Sequence, residues 1–396
     1  LAVDWSRNLH APVAQVCGDR RHAPRGRPDV ERLRQERGAL ARVEPRHTVH
    51  FRVGLIDWFE ERRRPLPQPL EALEAFLHET LASLREGLDD AAHVIRIALY
   101  DHPYSGKPKS PPIAALSWHG WRDDSELTRL NASRPGSWQV LSPALAADLA
   151  AAERCWGDTR GAFDPAIGTL VRAWGLRSGG RQPSAAELAA ALGASGFDQL
   201  DVEGSRALRR TADVILEEGG FGKGAGLAAA VRALAADGRA GSALLDLGGQ
   251  VAVHGGGQEW NVAVADPTRR SVEAGVLTID RGSIATSGNS ERGIEVGGER
   301  LGHLLDPATG RPAVDFGSLT VWADDPLRAD CLSTGLYVMG PDAALAWAAR
   351  QPDVEVLILE PAADRLLARA TPGIAARFTP LAPGLELEVA GDDDVE

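Results

Sequence analysis

Ser318-Leu319-Thr320-Val321-Trp322-Ala323-Asp324-Asp325-Pro326-Leu327-Arg328-Ala329-Asp330-Cys331-Leu332-Ser333-Thr334 reads as a strand, a turn and the start of a helix. Ser318 to Ala323 is a strand-like run, and Pro326 suits the first position of a helix. If Pro326 opens that helix, Asp330 and Thr334 fall one turn apart on one face, so a carboxylate and a hydroxyl converge on a single point. Such a hard-oxygen pair suits Mg²⁺. An Asp and a Thr four apart on a helix are also common on solvated faces, so the pair gains meaning only from the rest of the chain.

Outward from this unit, Ala243-Leu244-Leu245-Asp246-Leu247, Trp260-Asn261-Val262-Ala263-Val264 and Val276-Leu277-Thr278-Ile279 read as successive strands separated by Gly or Asp-Pro turns. Val354 to Leu359 and Leu385 to Val389 add two more, and Val94 to Tyr100 is an earlier one. Ser142-Pro143 supplies an N-cap with Pro behind it, opening a helix through about Cys155. Ser184-Ala185-Ala186-Glu187 is a capping box for another, ending near Gly193, and Asp342 to Arg350 is a further helix. Leu70, Leu73, Leu77, Leu81, Leu84 and Leu88 recur at helical spacing. Strands in runs, not in strict alternation with helices, predict an α+β fold with largely antiparallel sheet. The expected organisation is an Arg/Pro-rich N-terminal extension over 1–69, a catalytic domain over 70–389 and an acidic tail over 390–396. The extension reads as loosely ordered or as a basic arm for anionic lipid or a partner.

Composition narrows the class. The 396 residues are 44% hydrophobic and 25% charged, as in a globular protein, and the net charge of -12 disfavours nucleic acid as the main partner. No apolar run approaches bilayer-spanning length, and no export signal is visible. Cys17, Cys155 and Cys331 are far apart and match neither a disulfide framework nor a zinc site. Lysine is nearly absent, being confined to Lys107, Lys109 and Lys223, so a lysine inside Gly219-Gly220-Phe221-Gly222-Lys223-Gly224 stands out. That loop is not a Walker A motif, since Gly224 and not Ser or Thr follows the lysine, and its glycines do not fall at Rossmann spacing. Its glycines would let backbone approach a ligand, and the N–H groups of a following helix could meet a diphosphate; a plain strand-to-helix turn is the competing reading.

Further motifs lie in order along the chain: Asp123-Asp124-Ser125-Glu126-Leu127-Thr128-Arg129-Leu130-Asn131, Gly161-Ala162-Phe163-Asp164-Pro165, Asp246-Leu247-Gly248-Gly249, Ala285-Thr286-Ser287-Gly288 and His303-Leu304-Leu305-Asp306-Pro307-Ala308-Thr309-Gly310. Together with the Gly-rich loop and the segment ending at Thr334, this series resembles the FAD:protein FMN transferases, the ApbE-type flavin transferases, over roughly 121–340. The resemblance implies a flavin site built from Trp121, Ala162, Phe163, Asp164, Glu217, Lys223, Thr286 and Leu305. It implies Mg²⁺ held by Asp330, Thr334 and the Gly220 carbonyl with Ser333 adjacent, and His303 as a group that deprotonates the incoming hydroxyl or orients phosphates. Glu217 stands where the family usually has Asp and Ala225 where it has Tyr, and the family's opening Met-Gly-Thr strand is missing.

The activity this implies is Mg²⁺-dependent cleavage of the FAD pyrophosphate and transfer of FMN to a Thr or Ser hydroxyl of an acceptor protein, releasing AMP. Acceptors in the family are redox flavoproteins, including subunits of membrane electron-transfer complexes. Most members of the family are exported, so the resemblance implies a periplasmic or inner-membrane-associated location; a cytoplasmic one is the alternative. Two other readings remain open: an FAD pyrophosphatase releasing FMN and AMP to water, and a non-catalytic flavin-binding protein.

Overall fold

The computed structural model describes residues 125–391 apart from 238–241, 290–292 and 364, together with three strands nearer the N-terminus, β1 (Val13–Val16), β2 (His47–Arg52) and β3 (His93–Ala98). The leucine-periodic segment from Leu70, Trp121 and the Asp392–Glu396 end lie outside the described residues.

In chain order there follow α1 (Glu126–Ala132), β4 (Gln139–Val140), α2 (Pro143–Asp158), α3 (Gly168–Ala173), α4 (Ala185–Gly193), β5 (Leu200–Glu203), β6 (Arg206–Arg209) and α5 (Gly222–Asp237). The next run is almost all strand: β7 (Ser242–Leu247), β8 (Gln250–Gly255), β9 (Trp260–Ala265), β10 (Glu273–Ile279), β11 (Ser283–Gly288), β12 (Gly293–Val296), β13 (Glu299–Gly302) and β14 (Ser318–Ala323). The chain ends with α6 (Pro326–Met339), α7 (Pro341–Ala348), β15 (Val354–Ala362), β16 (Arg365–Ala370), α8 (Pro372–Ala375), β17 (Phe378–Pro380) and β18 (Glu386–Val389).

The organising element is a ten-stranded sheet in the order β1-β2-β3-β7-β8-β11-β14-β15-β16-β18, antiparallel from β7 through β16. Strands β1 and β2 come from the stretch expected to be an irregular extension. A second sheet, β17-β10-β9, is antiparallel throughout. The α+β, largely antiparallel architecture expected from the runs of strands is the one observed.

Side-chain alternation shows how the large sheet is covered on both faces. Leu319, Val321 and Ala323 of β14 pack with Ala329, Leu332 and Leu336 of α6 and with Val354, Val356 and Ile358 of β15. Trp322, from the same strand, points the other way, into a core with Ile284, Leu357, Leu359 and the second sheet's Trp260, Val264 and Leu277. All six β14 residues are therefore buried. Helix α6 begins as its sequence dictates: Asp325 accepts the Arg328 N–H at 2.8 Å as N-cap, Pro326 takes the first turn, and Gly340, at φ 83°, closes the helix. Helix α2 carries the expected Ser142 cap and α4 the complete Ser184–Glu187 capping box.

One buried group on α2 sets a pH dependence. Burial pushes the Asp148 carboxyl up to about 6, against the pull of Arg232 and with a further push from Asp325. Because the folded chain holds this proton more tightly than the unfolded chain, Asp148 favours the fold below about pH 4 and opposes it increasingly as pH rises through 6. Asp148→Asn is therefore expected to stabilise the protein at pH 8 by on the order of 1–3 kcal/mol, with the gain vanishing near pH 4. Urea denaturation at the two pH values checks this; an equal effect at both would remove Asp148 as the cause.

Candidate functional site

Three chain segments meet where helix α6 lies against helix α5. Asp330, buried on α6, receives the Lys223 ammonium on Oδ1 at 2.8 Å and the Gly224 N–H on Oδ2 at 2.9 Å. The contact is close because Gly224 has no side chain: a Cβ there would lie 2.4 Å from the Pro326 carbonyl oxygen and 2.8 Å from Asp330 Cβ. Gly220, at the head of the loop, faces the next turn of α6, where a Cβ would come 3.4 Å from Thr334 Oγ1 and 3.0 Å from the Phe163 ring. Phe163 is itself packed against Gly335, where a Cβ would meet its Cβ at 2.7 Å. Asp330, Thr334, Gly220, Lys223 and Phe163 are thus brought into one neighbourhood, and Asp330 and Thr334 share one face of a real helix as their spacing implied.

The loop is held from behind. Asn131, from the first motif, clamps the backbone of Leu216 with both ends of its amide, each at 2.9 Å. Glu217, the next residue, pairs with Arg177, which also lies 3.6 Å from Glu218. Burial raises the Glu217 carboxyl above the usual range, Arg177 pulls it back and Glu218 pushes it further up. Arg177 was not among the residues the sequence singled out; its signal would have been a lone cation in a Gly-rich stretch, Gly175 to Gly180, which reads equally well as loop.

Asp164 is committed to structure through both oxygens, accepting the Ala166 N–H at 2.7 Å and the Phe197 N–H at 3.0 Å. Burial outweighs those two bonds and lifts its carboxyl to about 6. Ala162 and Asp164 nonetheless line a cleft of about 390 Å³ together with Arg160, Asp306, Pro307 and Met339. Arg160 holds φ at 55°, a left-handed conformation uncommon outside glycine, at the turn that opens this cleft.

The His303 motif lends Asp306, Pro307 and Ala308 to the same cleft, whose lining does not include His303 itself. His303 follows strand β13, and Leu305 makes an isolated bridge to Pro312 while its side chain is buried near Leu170 and Trp174. Asp306 folds the turn onto itself, accepting the Ala308 N–H at 2.9 Å and the Thr309 hydroxyl at 2.8 Å. Trp174, close to the second motif, donates its indole N–H to Gly310 at 2.7 Å and so ties the two motifs together.

The Thr-Ser-Gly motif is a strand, β11, so its neighbours point to opposite faces. Thr286 projects away from α6 and pairs with Thr320 at 2.8 Å, whereas Ser287 projects towards α6 and meets Ser333 at 3.0 Å. Ser333 also donates to the Asp330 carbonyl at 2.9 Å, so its hydroxyl faces the sheet, not the Asp330 carboxylate. The serine that reaches the helix is therefore Ser287, which strict two-residue alternation from Ala285 would have selected. Gln250, likewise unforeseen, is buried with its amide on the Pro326 carbonyl at 2.8 Å and Oε1 without a partner.

Among the described residues no cluster of three or more His, Cys, Asp or Glu side chains could hold a metal ion. The donors at hand are a buried carboxylate, a hydroxyl and a backbone carbonyl: all hard oxygens and too few for a protein cage. That set fits Mg²⁺, which keeps waters and takes substrate oxygens for its remaining positions, and fits Zn²⁺ poorly. Lys223 lies against the buried carboxylate and neutralises it.

Sequence comparison gives this geometry a family. The sequence model of the ApbE family matches residues 114–358. The FAD:protein FMN transferase of Rhodobacter capsulatus is 34% identical over 233 residues, covering 57% of this chain and 44% of its own length. That of Klebsiella pneumoniae is 32% identical over 237 residues, 57% of this chain and 67% of its own. The chain thus spans less than half of the first of these relatives. Among solved structures, the ApbE protein of Thermotoga maritima superposes with a TM-score of 0.57 at 30% identity, over 62% of this chain and 82% of that one.

Proposed function

The chain belongs to the ApbE family, and from that premise we propose that it transfers FMN from FAD to a Thr or Ser hydroxyl of an acceptor protein and releases AMP. The observation that carries the reading is the closure of the Gly219–Gly224 loop on helix α6, with Lys223 and the Gly224 N–H both on the Asp330 carboxylate. A loop that can approach phosphates through backbone, one partly exposed cation and one buried anion form a set suited to a pyrophosphate and its counter-cation.

Asp330, Thr334 and the Gly220 carbonyl would hold Mg²⁺, which neutralises charge on the bridging and leaving phosphate oxygens when bound. Lys223, whose side chain is 39% exposed, is free to turn its ammonium from Asp330 to a phosphate oxygen. The Ala162–Asp164 turn and the Asp306–Ala308 turn bound the cleft in which the nucleotide is positioned. His303 takes the proton from the acceptor hydroxyl as the hydroxyl attacks phosphorus, the bond to the AMP oxygen breaking as the new phosphoester forms. A redox flavoprotein, such as a subunit of a membrane electron-transfer complex, is the acceptor this reading favours, with the enzyme in the periplasm or at the inner membrane.

The test is incubation with FAD, Mg²⁺ and a Thr-containing acceptor, followed by mass spectrometry. An acceptor heavier by one FMN, with AMP in equal amount, supports transfer; free FMN and AMP without acceptor labelling points to a pyrophosphatase, and intact FAD to a binder. For the loop itself, Lys223→Ala is expected to weaken FAD binding by on the order of 1–3 kcal/mol, the worth of a charge-assisted hydrogen bond. Fluorescence titration with unchanged affinity would return the loop to a plain turn.

A further inference from the structure

Two rungs tie strand β11 to helix α6. The first is Ser287 on Ser333; two residues further along the chain, just past the strand, and one turn further along the helix, Asn289 Nδ2 donates to the Tyr337 hydroxyl oxygen at 3.1 Å. Tyr337 donates in turn to Asp315 Oδ1 at 2.9 Å, an oxygen that also accepts the Gly317 N–H at 3.1 Å. The direction of this relay is fixed by chemistry. A phenol has one proton, a carboxylate can only accept it, and so the phenol oxygen is left to accept from the amide. Burial, and then Asp315, hold the Tyr337 hydroxyl well above the usual phenol range, so it remains a donor.

Tyr337 is 1% exposed and its ring stacks on Phe316 with centroids 4.4 Å apart. Asn289 is 4% exposed, and its Oδ1 is buried without a partner. The amide is therefore oriented by the Tyr337 bond at one edge and by packing at its face. What packs on that face is Gly302: a Cβ added there would lie 2.3 Å from Asn289 Cγ, Nδ2 and Oδ1 alike. Gly302 is the last residue of β13, and the next residue is His303.

We propose that Tyr337 is a positioning residue for His303, acting through Asn289. The Asp315–Tyr337–Asn289 relay fixes the surface on which β13 ends, and so registers His303 against the helix that carries Asp330. Removing the phenol hydroxyl leaves the Asn289 amide with both buried ends unsatisfied, and it must rotate to find other partners. Because Gly302 lies flat on that amide, the rotation displaces the backbone next to His303. The inference rests on the proton-accepting role given to His303 above, but its first readout does not.

Tyr337→Phe in the full chain keeps the ring, the stacking on Phe316 and the core volume. The first measurement is the ¹⁵N-histidine spectrum without FAD, with His303 identified by the signal lost in His303→Ala. The His303 ring resonances are expected to move in Tyr337→Phe more than those of any other histidine; unmoved resonances overturn the proposal whatever the activity. The second is single-turnover transfer at saturating FAD and Mg²⁺, expected to slow about ten- to a hundredfold with FAD affinity within about twofold, the signature of a misplaced reacting group. The third introduces Tyr337→Phe into His303→Ala. If Tyr337 acts through His303, the second change adds no further slowing; a purely structural tyrosine multiplies the two losses and sinks the proposal. Asn289→Ala repeats the series from the end of the relay that meets Gly302. Moved resonances in a protein that transfers no FMN would leave the positioning intact and strike the transferase reading alone.

Discussion

In chelator-treated protein resupplied with Mg²⁺, Asp330→Ala is expected to show no detectable FAD cleavage while its far-ultraviolet circular dichroism matches the wild type. The carboxylate is the single anionic donor in the oxygen set facing the Gly-rich loop, and a Mg²⁺ ion with only a hydroxyl and a carbonyl from the protein has too little to hold it. Loss of the carboxylate also strands the Lys223 ammonium, but Lys223 reaches solvent, so the cost to the fold stays below that of breaking a fully buried pair. Asp330→Asn separates charge from shape, since an amide oxygen can still accept the Gly224 N–H. It should fail in catalysis like the alanine variant while melting closer to the wild type. A second readout needs no turnover: Mg²⁺ with a nucleotide should raise the wild-type melting temperature and leave that of Asp330→Asn unmoved. Undiminished cleavage by either variant would remove the metal assignment.

His303→Ala is expected to slow transfer at saturating FAD by roughly two to four orders of magnitude, the range of general acid–base help, with FAD affinity little changed. The histidine sits just past β13, on a segment pinned by the Leu305–Pro312 bridge and the Asp306 turn. Those ties involve Leu305 and Asp306 and persist in His303→Ala, so a large stability loss is not expected. Melting temperature, FAD titration and single-turnover rate measured on one preparation decide between roles: a fallen melting temperature with an intact rate at saturating FAD makes His303 structural.

Helix α6 and its approach were legible in the chain because their signals are local. Pro326 at the first turn, Asp325 before it and the spacing of Asp330 and Thr334 each act within one or two turns of helix. The capped helices α2 and α4 and the apolar strands β7, β9, β14 and β15 were readable for the same reason, and the order of the motifs carried the family. The hairpin β12–β13 and strand β16 were not read, since Glu, Arg and Gly dominate the first, and the second alternates Arg with Leu and Ala much as a helix face would.

What the sequence determined by itself is the fold class and the family, because propensity, capping and motif order are properties of neighbouring residues. What only the tertiary structure decided is which of those residues meet. Ser287 faces the helix and Thr286 does not, because the motif is a strand with a two-residue period. Ser333 turns its hydroxyl to the sheet, while Lys223, 107 residues before Asp330, delivers its charge to that carboxylate. Gly224 permits that approach by having no Cβ to strike α6, and Asn289 and Tyr337 join across 48 residues to underlie Gly302. Contacts at such separations arise from the packing of elements whose internal signals are silent about their partners.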